Sequence, residues 1–254
     1  MVSRTSPLKK PFFYILFIIF ILWIILFEFI IPENSFLPKP GIVLLTIPAL
    51  FEDYHLLANF FTTISAIYLP ALLAYLFLFL FRRWIFAESG LISLKSKFIS
   101  NLAIFVPAIL AGIFLVFWFP HSFFPEYLFS FVVSASWWLI ESRVHLNHTN
   151  ENYRISFQSF GADKSFISKN ITWFEMLPGA FSKLPAFHLH LWGLILVFEF
   201  IMDYYGLGAV LRQALLFHDL SALFLLTIII SLISAAGYAF IRAVENRFIF
   251  WSAE

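Results

Sequence analysis

Few residues in the chain could do chemistry, and their spacing limits what they could share. His145 and His148 (His-Leu-Asn-His) stand three apart, a separation that on a helix could present two imidazoles to one metal ion. No nearby carboxylate pattern completes such a site, so they read as solvated loop histidines. His188 and His190 sit at the start of an apolar run that contains Glu199, and histidines with a carboxylate could equip an intramembrane hydrolase. Two positions apart on a helix, however, they point to different faces. Glu28 and Glu199 lie inside apolar runs, where a carboxylate is expensive and marks a pathway or an interhelical partner. Glu28 reads as reaching toward lipid headgroups; for Glu199 both readings stand open. The chain contains no cysteine, which removes disulfides, thiolate metal sites and cysteine nucleophiles. It has no Gly-x-x-x-x-Gly-Lys-Ser/Thr loop to cradle nucleotide phosphates. The residues call for no cofactor, no resident metal and no catalytic set.

The elements that must position these residues are set by hydrocarbon. Of the 254 residues, 61% are hydrophobic and 12% charged, about half the charged share of a soluble protein. A net charge of +1 gives no general attraction to nucleic acid. The partner implied directly is membrane lipid. The first apolar run follows Arg4, Lys9 and Lys10 like a signal peptide, but it is too long for an h-region and no small-x-small cleavage site follows it. It is expected to be a retained transmembrane helix.

Apolar stretches of spanning length predict an all-α integral membrane protein of six helices, near 12–31, 58–81, 98–119, 123–141, 185–203 and 221–243. The whole chain, 1–254, reads as one transmembrane domain. Pro120-His121-Ser122 is short enough to make the third and fourth spans an antiparallel hairpin. Pro70 and Pro107 fall inside spans, where neighbouring helices can satisfy the freed carbonyls.

Six spans put both termini on one side, and the basic residues test this. Arg4, Lys9, Lys10, Arg82, Arg83, Lys95, Lys97, Arg143, Arg154, Lys164, Lys169, Lys183, Arg242 and Arg247 fall on one side, leaving Lys39 and Arg212 on the other. That asymmetry predicts cytoplasmic termini. The largest cytoplasmic segment, 142–184, is too small for an independent catalytic domain and too long for a plain connector.

Glu199-Phe-Ile-Met-Asp-Tyr-Tyr-Gly206-Leu-Gly208, continuing through Gln213-Ala214 to Phe217-His-Asp219, is similar to the fifth span and following outer loop of a known family, the binding-protein-dependent ABC transporter permeases of the nitrate/sulfonate/taurine type. Glu245-Asn-Arg247-Phe-Ile-Phe-Trp251 resembles its Glu-x-Arg…Trp ending, and Phe36-Leu-Pro38-Lys-Pro40-Gly-Ile-Val43 its Leu-Pro-x-Pro lead-in. Thr63 stands near its second-span Thr, and Val106-Pro107-Ala108 with Trp118-Phe119 is similar to its third span. In the segment matching the coupling loop, Gly161-Ala162 and Leu177-Pro178 fall in place, whereas the Glu-Ala-Ala positions read Ile155-Ser156-Phe157. The glycines usual in the second span are absent.

The resemblance implies a type I importer permease, a transport subunit of the inner membrane rather than an enzyme. It implies a cytoplasmic ABC ATPase subunit, an extracytoplasmic substrate-binding protein and a second copy of the chain, as a homodimer. On this reading Gly161 permits a tight turn between two short coupling helices, and Pro178 stops the second of them. Phe157, Phe160 and Phe166, flanking Gly161 and Ala162, are apolar anchors for an ATPase groove; the alternative is an interfacial helix on the membrane surface. Segments 32–57 and 204–220 would form the docking face for the binding protein. There Glu199, Gly206 and Gly208 are candidates for the pathway or an outer gate, and an ordinary Gly-rich loop is the plainer alternative. A dipeptide-type permease, a permease-like scaffold that no longer transports, and an intramembrane enzyme are the rival readings.

Overall fold

A computed structural model describes residues 9–31, 37–85, 108–120, 122–146, 151–163, 166–167, 170 and 172–248, and all its regular structure there is helical. In chain order the helices are α1 (Lys9–Ile24, running on as a π-helical turn Ile25–Ile30), α2 (Pro40–Glu52), α3 (Leu56–Ile85), α4 (Ala108–Trp118), α5 (Phe124–Leu146), α6 (Glu151–Ser159), α7 (Thr172–Met202), α8 (Leu207–Leu216) and α9 (Leu220–Phe248).

Three of them, within α3, α7 and α9, are long and apolar enough to cross a membrane, and they coincide with the expected spans 58–81, 185–203 and 221–243. The thirty residues of α3 extend for about 45 Å, more than a hydrocarbon core about 30 Å thick. The first expected span matches α1 and its π-helical turn, and the fourth matches α5. Of the third, residues 108–118 form α4, and 98–107, with Pro107, lie outside the described residues. Ser122 Oγ accepts the Phe124 amide at 3.1 Å and so starts α5 directly after α4.

The helices overrun the expected boundaries. α5 continues to Leu146 and α7 begins at Thr172, so the connection between them is shorter than 142–184. Pro178 does not terminate a helix: α7 runs unbroken through both Pro178 and Pro185. The packing of Trp173, Met176, Leu177 and Ala180, all buried, holds the first turns in place against the loss of one backbone hydrogen bond.

α3, α5 and α7 form the centre of the molecule. Stacked rings join α5 to α7, Phe129 on Phe198 at 4.8 Å between centroids and Trp137 on Phe187 at 4.3 Å. Nearer the α5–α7 connection, Tyr75, Trp138, Trp173 and Phe181 make a second aromatic cluster. Small residues let the backbones approach: Ala66, Ala74, Ala180 and Ala222 are fully buried. α1 stands apart, its rings and aliphatic chains largely exposed from Tyr14 to Ile30. Its contacts with the bundle include Trp23 on Phe224 and a hydrogen bond from the Gly41 amide to Glu28 Oε2 at 2.9 Å. Glu28 therefore caps the amino terminus of α2, where Pro40 occupies the first turn.

Candidate functional site

Around residue 203 the chain reverses direction, and the buried Thr63 and Glu199 meet there. α7 ends at Met202, Asp203 takes a left-handed conformation (φ 59°), and Gly206 follows at φ 94°. That value suits glycine, and a Cβ at 206 would also strike the Glu199 carboxyl group. α8 then folds back against α7, burying Leu207, Gly208, Ala209, Val210 and Ala214. Gly208 is required by space: a Cβ there would collide with the Leu196 carbonyl oxygen.

A helix that starts inside a protein must find partners for its first amides. Three side chains supply them here. Asn59 Oδ1 accepts the Gly206 amide at 2.8 Å, Thr63 Oγ1 accepts that of Leu207 at 2.8 Å, and Glu199 Oε2 accepts that of Gly208 at 2.8 Å. The Thr63 hydroxyl in turn donates to Glu199 Oε1 at 2.6 Å. Both Thr63 and Glu199 are 0% exposed, so the carboxyl group is solvated by protein alone. Its place at the amino end of α8 adds the attraction of the helix dipole. The reading in which Glu199 reaches for headgroups is thereby corrected: the reversal of the chain over it closes off that route. Arg212 completes the corner from outside, donating to the carbonyls of Phe200 and Ile201 and lying 3.4 Å from Asp203.

Glu126 is the residue that sequence reading missed. It lies in the first turn of α5 and is buried. Its position one turn into the fourth span was the available signal. Nearby, Tyr127 and Ser65 share a 2.6 Å hydrogen bond at the edge of an open groove of about 550 Å³. A second groove of about 540 Å³ includes Asp53, Tyr54, Gln213 and Asp219 in its lining. There Tyr54 donates to Asp219 Oδ2 at 3.2 Å, while Asp219 Oδ1 caps α9 through the Ala222 amide at 2.9 Å. Burial, then the Asp219 carboxylate, push the Tyr54 phenol up to about 12.

The histidines do not join this site. His188 is buried and His190 exposed, and His188 lies about three turns, or about 16 Å, before Glu199 along α7. The His188 Nε2 accepts from Trp192 at 2.9 Å and lies 2.8 Å from the Tyr68 hydroxyl. His145 is in the last turn of α5, and His148 lies outside the described residues. Among the described residues, no group of three or more His, Asp or Glu side chains could hold a metal ion.

At the opposite end, the α5–α7 connection is built on a recognisable turn. α6 ends with Gly161 at φ 80°, the Ala162 amide bonding to Phe157 O at 3.0 Å and the Gly161 amide to Gln158 O at 2.9 Å. This nested pair of bonds is a Schellman cap. Around it Ile155, Phe157, Phe160 and Phe166 are exposed, whereas Ile167 is buried. Lys183 and Glu141, 2.7 Å apart, join α7 to α5 at the base of the connection. Pro178, expected in the same segment, is instead partly buried within α7.

The profile of a protein family described as the binding-protein-dependent transport system inner membrane component matches residues 84–250. No curated protein and no solved structure matches the chain.

Proposed function

Because the chain belongs to the family of binding-protein-dependent transport system inner membrane components, we propose that it forms the solute pathway of an importer of the nitrate/sulfonate/taurine-like class. Membership itself makes it an ABC importer permease component, a transport subunit rather than an enzyme, integral to the inner membrane. Such components work in general with a separate ATPase and a binding protein.

In this reading the basic residues other than Lys39 and Arg212 lie on the cytoplasmic side, with both termini, and two copies face each other across the pathway. The observation that carries the coupling assignment is the segment after α5. It presents Phe157, Phe160 and Phe166 outward on either side of the Gly161 turn, while its two ends are held by α5 and α7. Exposed rings on a capped short helix suit a groove on a partner protein, and the rigid α7 behind them can carry a push toward Glu199. ATP binding would close two ATPase subunits and turn the cavity outward to receive solute from the binding protein; hydrolysis would reset it. Segments 32–57 and 204–220, which contain α2 and α8, would meet that protein, with Gly206 and Gly208 as the outer gate. The Leu-Pro-x-Pro lead-in and the Trp251 ending support the nitrate/sulfonate/taurine class over a dipeptide-type importer.

A pull-down from detergent-solubilised membranes tests the reading. The intact chain is expected to bring down an ATP-hydrolysing protein, and a Gly161→Pro, Phe166→Asp double variant to lose it. A folded chain that captures no ATPase would move the scaffold or intramembrane-enzyme reading to the front.

A further inference from the structure

A serine or threonine inside a helix commonly donates its hydroxyl to the carbonyl one turn back. Ser142 of α5 does so, bonding to Trp138 O at 2.5 Å, and Thr62, Thr227 and Ser231 do the same in α3 and α9. Ser130 and Ser134 do not. Both are 0% exposed, and neither Oγ has a hydrogen-bond partner among the described residues. Glu126 Oε1, one turn before Ser130, is buried and without one as well. Positions 126, 130 and 134 are successive turns of one helix face. Buried polar atoms that ask for partners therefore follow one another along about 12 Å of α5.

The neighbouring helix brings an acceptor to the same depth. α3 runs beside α5, with Ser65 at the level of Tyr127 and Tyr75 at the level of Trp138, so the turn from Ala66 to Pro70 is level with Ser130. Pro70 has no N–H, and the Ala66 carbonyl loses the helical bond it would otherwise accept. Both residues are buried. The row has two unlike ends. Toward the outer side it begins behind Tyr127, which lines the groove of about 550 Å³ together with Thr62 and Ser65. Toward the inner side it meets Trp138, buried in the aromatic cluster with Tyr75 and Phe181. Ser134 stands about 15 Å along α5 from Phe124, half of a hydrocarbon core about 30 Å thick.

We propose that Glu126, Ser130, Ser134 and the Ala66 carbonyl bind a file of internal waters, entered from the outer groove and closed at Trp138. An internal water needs about two to four polar partners, and these groups supply donors and acceptors in a line. The waters bridge α5 to α3 at the turn that Pro70 weakens, and they carry outer solvent to the middle depth of the bundle. The seam rests on the packing of α3 against α5 and not on the transport reading.

The chain has no cysteine, so a single introduced thiol is visible by its S–H stretch. The test follows conversion of that band to S–D in full chains carrying Ser130→Cys or Ser134→Cys, held in lipid nanodiscs without ATPase and transferred to D₂O. Leu226→Cys, fully buried in the apolar cluster on α9, is the dry control. Both serine-site thiols are expected to exchange at least about ten times faster than the control, because water reaches them without the local opening that a dry site needs. Exchange as slow as in Leu226→Cys, in variants whose helical circular dichroism is retained, means that positions 130 and 134 are dry and overturns the proposal. If the cysteine variants do not fold, the melting temperature of Ser130→Ala and Ser134→Ala decides. It is expected to fall as hydrogen bonds to water are lost. A rise would show that the hydroxyls were buried without partners, and overturns the proposal equally.

Discussion

Replacing Gly208 with alanine would drive a methyl group into the Leu196 carbonyl and to 2.7 Å from Glu199 Cβ. Neither neighbour can move without disturbing the cap of α8. Overpacking combined with a broken buried cap is expected to cost at least about 2 kcal/mol, read as a lower unfolding temperature in detergent. Gly193 gives the opposite sign. It lies within α7 with nothing within 4 Å of an added Cβ, so Gly193→Ala should stabilise by up to about 1 kcal/mol. If both variants melt alike, the packing of the reversal is not as described. Sequence reading found Glu199, Gly206 and Gly208 because a carboxylate and two glycines stand out against hydrocarbon. It could not find their partners. Asn59 is an ordinary polar residue near the start of an apolar run, and Thr63 stood out only through the family resemblance. Only the crossing of α3 and α7 brings them against Glu199 and the start of α8.

At the scale of the helices, hydrophobic length predicted which segments would be helical more reliably than local punctuation predicted where they end. The long runs inside α3, α7 and α9 were legible because their hydrocarbon exceeds what a loop could expose. α2 and α8 were not, being only 13 and 10 residues long and set in segments that read as loops. Pro178 shows the limit of a local rule, since tertiary packing of Trp173 and Met176 outweighs it. Pro178→Ala should therefore leave α7 in place and supply one more backbone amide. The expected gain is on the order of 1 kcal/mol in thermal stability. No gain, or a loss of helical content, would show that the proline shapes α7 rather than merely being tolerated in it.

For the molecule as a whole, stability against alkali has a local handle that joins distant parts of the chain. Tyr54, between α2 and α3, bonds to Asp219, 165 residues on, at the start of α9. Its phenol titrates at about 12 in the folded chain, against 10.0 for an ordinary tyrosine. A group raised in this way stabilises the fold fully below pH 10, and that contribution is lost as pH rises through 12. Tyr54→Phe should lower stability at neutral pH by the lost hydrogen bond, about 1 kcal/mol. It should also flatten this part of the alkaline decline, as followed by unfolding at a series of pH values. An unchanged alkaline slope would mean that other groups carry it.

The sparse packing of α1 bears on how the protein is assembled. Trp23 on Phe224 and Glu28 on the Gly41 amide are its attachments to the bundle described above, while its flanks remain apolar and open. As the first span expected from the sequence, that helix would partition into lipid by its own side chains, without help from the others. Its docking would then be a second event, separate in energy and in time, with the bilayer as its holding state.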